Sequence, residues 1–138
     1  MELRRISKLI VIAGALLICL VKFVIRPVYH PGQSLNFFLG VAPNLLSSFL
    51  IPFVAFWFFS GRDFLIARVF RIHSVADLRI VCLVGFAMLV VNEYFQLMPI
   101  FGRTFDYFDI VFSIIGLFAS YFVFGKIYKQ VLHRYCAN

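Results

Sequence analysis

Four stretches of nearly unbroken apolar residues, each long enough to cross a bilayer, constrain this chain more than any motif in it. A spanning helix needs about 20 mostly apolar residues, because it advances about 1.5 Å per residue through a hydrocarbon core of about 30 Å. The first stretch is Leu9–Ile25 (LIVIAGALLICLVKFVI), broken only by Lys22 near its end, where a long side chain reaches the interface cheaply. The others are Val41–Ser60 (VAPNLLSSFLIPFVAFWFFS), Ile80–Met98 (IVCLVGFAMLVVNEYFQLM) and Asp106–Gly125 (DYFDIVFSIIGLFASYFVFG). Pro43 and Pro52 suit an early turn and a kink in the second span, both tolerated in membrane helices. Only 14% of the residues are charged, against about a quarter in a soluble domain. The 19 Phe exceed what one small aqueous core would bury. The expected fold is an all-α integral membrane protein, a four-transmembrane-helix bundle forming one domain over residues 1–138.

Lysine and arginine set the expected orientation. Arg4, Arg5 and Lys8 precede the first span, Arg62, Arg68, Arg71 and Arg79 separate the second from the third, and Lys126, Lys129 and Arg134 follow the fourth. Only Lys22, Arg26 and Arg103 fall on the other side. The positive-inside rule then places both termini in the cytoplasm. The net charge of +7 reflects topology and anionic lipid, so no nucleic-acid partner is needed to explain it. Met1–Leu20 has the basic start and apolar run of a signal peptide, but Lys22 and Arg26 follow where a small-residue cleavage site would stand. It is read as an uncleaved first helix. Tyr29, Tyr94 and Tyr107 then fall near the outer interface, and Trp57, Tyr128 and Tyr135 near the inner one.

Two connections are long. Arg26–Gly40 is rich in turn residues and carries Phe37-Phe38-Leu39, an apolar cluster suited to dip into the outer interface. Gly61–Arg79 mixes Phe64, Leu65, Val69, Phe70 and Ile72 with arginines, which fits either a short amphipathic helix on the inner leaflet or a basic loop that only fixes topology. Cys19, Cys82 and Cys136 read as apolar packing residues rather than a disulfide framework. His30, His73 and His133 show no metal-ligand spacing. Ser47 and Ser48 are expected to bond to backbone or to a neighbouring helix.

The remaining polar chemistry is concentrated in NEYFQLMPIFGRTFDYFD, Asn92–Asp109. In the expected topology this is the outer end of the third span, a tight turn at Pro99–Gly102, and the start of the fourth. Glu93 and Gln96 share one helix face, and so do Asp106 and Asp109, each pair being three residues apart. A short turn makes the two helices antiparallel neighbours, so Glu93, Arg103 and the aspartates can converge. An acid inside a span costs about 3 kcal/mol or more unless it is paired or wetted, which singles out Glu93. Arg103 is its default partner, since a guanidinium fork suits a carboxylate. Two simpler readings stand beside a binding site. Asp106 can cap the fourth helix while Asp109 gains from its dipole, and Glu93–Arg103 can be a structural ion pair locking the hairpin. Further along, Ser113, Gly116 and Ser120 place small residues on one face, which permits close helix packing in lipid.

The order Glu-x-x-Gln, Gly-Arg, Phe-Asp-x-x-Asp and a later Gly resembles the VanZ-like family of small bacterial membrane proteins. Here it reads Glu93, Gln96, Gly102-Arg103, Phe105-Asp106, Asp109 and Gly116, and APNLLSSFLIPF in the second span is similar to the family's Asn- and Pro-containing early span. The resemblance covers about residues 40–125. Ser113 stands where the family often has Asn, and Ser120 near a second family Gly. The resemblance implies a protein of the bacterial inner membrane with a role in the cell envelope, linked in the named member to low-level teicoplanin resistance. For this chain it implies an effect on glycopeptide susceptibility.

Three functions follow as expectations. In the first, Glu93, Gln96, Arg103, Asp106 and Asp109 form an outer pocket for the polar head group of a membrane lipid or a lipid-linked envelope precursor. In the second, Glu93 and a wetter Asp109 perform acid–base chemistry on such an intermediate. In the third, the chain is a structural subunit or small transporter component, with Ser113, Gly116 and Ser120 facing a partner helix. The lack of an activated nucleophile, a phosphate loop and a metal motif weighs against an enzyme, and the pattern names no cofactor.

Overall fold

A computed structural model describes residues 2–28, 33–95 and 107–136 of the chain, with side chains at 3–28, 37–95 and 107–133. Among the described residues the chain is all helical, without strands. Helix α1 (Glu2–Cys19) passes through a π-helical stretch, Leu20–Ile25, into the short α2 (Arg26–Val28), and the Arg26 N–H bonds to the carbonyl of Val21 five residues back. Helix α3 covers Gln33–Phe59, α4 Leu65–Phe70, α5 Val75–Phe95 and α6 Tyr107–Cys136. Four helical stretches are long and apolar enough to cross a membrane: Leu3–Val28, Phe37–Phe59, Val75–Phe95 and Tyr107–His133. The turn Pro99–Gly102 lies outside the described residues.

The helices outrun the apolar stretches that announce them. Where sequence puts a long connection at Arg26–Gly40, α3 already begins at Gln33, and Phe37 packs edge-on against Phe108 at 5.0 Å and Phe112 at 6.2 Å. Helix α5 begins five residues before Ile80 because Ser74 caps it. The Asp77 N–H donates to Ser74 Oγ (3.2 Å) while Asp77 Oδ2 accepts from the Ser74 and His73 amides at 2.8 and 2.9 Å, a capping box that satisfies otherwise orphaned donors. Helix α3 ends at Phe59, and the turn after it passes through Gly61, whose φ of +81° is the left-handed conformation glycine adopts most cheaply.

The middle of the Gly61–Arg79 connection is the helix α4. It leaves Leu65, Ile66 and Val69 exposed beside Arg68, the mixture of a helix lying in a membrane interface. Phe70 stacks on Phe59 at 5.1 Å, and Arg71 donates to the Asp63 carboxylate (2.5 Å) and the Arg62 carbonyl, which folds the connection back on α3.

Helix α3 is central, packing on α1, α5 and α6. Its contacts with α6 ascend together along both chains: Phe37 with Phe108, Ser48 with Gly116, Phe53 with Phe124. These two helices therefore run parallel. Gly14 of α1 meets Leu50, and Gly85 of α5 meets Ile51, while Arg79 of α5 reaches Tyr121 of α6. The close approach of α3 and α6 depends on Gly116. A Cβ there would overlap Ser48 Oγ and the Leu45 carbonyl oxygen and lie 3.2 Å from the Phe49 nitrogen. Ser48 and Ser47 keep their hydroxyls on their own helix, donating to Leu45 O (2.9 Å) and Asn44 O (3.0 Å). Such back-bonding gives a span a satisfied hydroxyl without a partner helix.

Fully buried Phe53 and Phe124 meet at 5.2 Å at the centre of the core, with Val81 and Leu78 of α5 beside them. The outer surface is the reverse of a soluble protein's: Leu16 (65%), Phe23 (68%), Leu83 (68%) and Phe118 (62%) are exposed. Apolar surface spread this widely is covered by lipid. Arg4, Arg5, Lys8, Arg62, Arg68, Arg71, Arg79, Lys126 and Lys129 all belong to one end of the bundle, here termed the basic end.

Candidate functional site

Glu93 lies at the opposite end, near the end of α5, and only 5% of its surface is exposed. Its neighbours come from three helices. Asp109, in the first turn of α6, and Ser113 one turn further share a face, as residues four apart do. Asn44 arrives from α3, eleven residues after that helix begins at Gln33. Glu93, Asp109, Asn44 and Ser113, with Asn92 and the side chains of Phe86, Leu89, Val90 and Ile110, line a cavity of about 20 Å³.

That volume decides what the described part of the site can hold. One water needs about 10–15 Å³ measured this way. The cavity therefore admits a water or a small ion and excludes a sugar or a whole phosphate ester. Its wall carries two carboxylates, two amides and a hydroxyl, so carboxylates that can accept hydrogen bonds or face a cation stand beside amide and hydroxyl groups that can also donate. An amide and an acid within membrane spans would each be costly against lipid. Facing one another across a cavity, they can be satisfied.

Of the five binding residues expected from sequence, Glu93 and Asp109 share this cavity, whereas Gln96, Arg103 and Asp106 lie outside the described residues. Among the described residues, no group of three His, Cys, Asp or Glu side chains is placed to hold a metal. Ser113, Gly116 and Ser120 line α6, all buried, with Gly116 against α3 of the same chain. Ser113 serves two surfaces at once, since it also lines the cavity. Asn92 and Asn44 line the cavity without being among the expected binding residues, and Asn44 comes from a different span. Its signal was an amide inside an apolar span, the same kind of anomaly that marks Glu93.

Four long apolar helices, with a small acid-and-amide cavity at one end and a cationic rim at the other, define a small multi-pass membrane protein. The chain matches no family model, no curated protein and no solved structure among those it was compared with.

Proposed function

We propose that this is a VanZ-like envelope protein of a bacterial inner membrane. Its basic end faces the cytoplasm, and its Glu93 cavity is the floor of a polar binding site at the outer face. The observation that carries the reading is a buried Glu93 sharing a cavity with Asp109 and Asn44, drawn from three helices. The cavity takes a water or the terminal donor of a larger ligand, an ammonium or hydroxyl of a lipid or envelope-precursor head group. Gln96, Arg103 and Asp106, the further binding residues expected from sequence, would contact the rest of that head group. The excess of Lys and Arg at the opposite end supports the orientation.

The test is glycopeptide susceptibility in cells whose own copy is replaced by Glu93→Gln or Asn44→Leu. Each variant is expected to shift teicoplanin susceptibility as deletion does, at unchanged membrane levels. Wild-type susceptibility in both variants sinks the proposal. A second reading, that the cluster only locks α3, α5 and α6 together, draws on the small cavity volume. It predicts that Glu93→Gln lowers the melting temperature in detergent, whereas a binding site predicts an unchanged one.

A further inference from the structure

A second concavity, which shares only Phe86 with the Glu93 cavity, lies toward the basic end between α5 and α6. It encloses about 450 Å³, within the range of ligand-holding pockets. Cys82, Leu83 and Phe86 of α5 form one wall, and Ile114, Leu117 and Phe118 of α6 the other. The lining is almost wholly apolar except at one end. There the Arg79 Nε donates to Tyr121 Oη at 3.3 Å, an engagement that uses one of the guanidinium's five donors.

We infer that this groove holds one acyl chain of an anionic phospholipid whose phosphate sits on Arg79. Three observations select that occupant. The groove runs along the helices, so seven residues from Arg79 to Phe86 carry it about 10 Å toward the bilayer centre. Its single cation stands in the second turn of α5, at the basic end of that span. Its apolar floor continues inward from that cation, the sequence of charge then chain that a phospholipid presents. Leu83 and Phe118, both more than half exposed, open it sideways to the bilayer. A soluble ligand has no such lateral entry, and a peptide would leave backbone groups unsatisfied there. The inference is independent of which leaflet the basic end faces.

Native mass spectrometry of the full chain in a neutral detergent, titrated with equimolar phosphatidylglycerol and phosphatidylethanolamine, tests it. The wild-type protein is expected to retain one phosphatidylglycerol in preference to phosphatidylethanolamine. Arg79→Gln should cut that preference about fivefold, the effect of one interfacial cation on an anionic lipid. Leu83→Trp, which fills the groove, should release both lipids. The double variant Arg4→Gln/Arg5→Gln, which removes charge elsewhere at the basic end, should leave the preference intact. The inference is overturned if Arg79→Gln retains the wild-type preference, or if the Arg4/Arg5 variant loses as much. It is equally overturned by a lipid-free dimer that Leu83→Trp converts to monomer, which would make the groove the seat of a second copy.

Discussion

At the scale of single residues, burial separates hydroxyls that are satisfied from those that are not. Ser48 is fully buried and bonded to the Leu45 carbonyl, whereas fully buried Ser120 has no hydrogen-bond partner for its Oγ among the described residues. An unmatched buried hydroxyl costs about 1–3 kcal/mol. Ser120→Ala keeps a small side chain and removes that cost, so it should leave the melting temperature in detergent unchanged or raise it. The acids behave oppositely. Glu93 and Asp109 line a cavity where their carboxylates can accept hydrogen bonds or face a cation. Asp109→Leu is therefore expected to abolish the glycopeptide phenotype of the proposed function, while Asp109→Asn retains the shape and part of the hydrogen bonding. Susceptibility assays at matched membrane levels check the pair.

At the scale of elements, the governing contact is between α3 and α6, where Gly116 lies against the α3 backbone at Leu45 and Phe49. Lipid tails are as apolar as leucine, so spans associate through close packing rather than through exclusion of water. Gly116→Val inserts volume against the α3 backbone at Leu45, which cannot yield as a side chain can, and should destabilise the bundle by about 1–3 kcal/mol. The readout is an earlier thermal transition and a broadened elution profile. Helix α5 owes its early start to a separate device. Ser74→Ala removes the cap on the Asp77 amide, at a cost of about 1 kcal/mol, detectable as faster amide exchange over residues 75–78. Helix α6 shows why apolar length alone misjudges an element. Its 30 residues reach about 45 Å, whereas the hydrocarbon takes about 20 residues. From Tyr107 that length ends at Lys126, and the remainder continues as a helix on the basic side.

At the scale of the whole molecule, the connections fold the cations of three separate segments to one end. The proposed orientation then predicts that a cysteine placed in the 62–63 region reacts with a membrane-impermeant maleimide only in permeabilised cells. Labelling from outside would invert the topology and move the Glu93 cavity to the cytoplasmic face. Sequence by itself determined that there are four spans, because the length of an apolar run measures directly what the bilayer demands. It also marked Glu93 and Asp109, since a charge in hydrocarbon is anomalous wherever the chain later places it. Helix ends were less legible: polar residues such as Ser74 and Asp77 extend a helix through local hydrogen bonds that hydropathy ignores. Only the tertiary structure decided that α3 and α6 run parallel in close contact, and that Asn44 joins Glu93 from a span 49 positions earlier. It alone formed the groove beneath Arg79. Apolar side chains attract one another with little selectivity in lipid, so the pairing of spans follows from the shapes of their surfaces, and those exist only once the helices have packed.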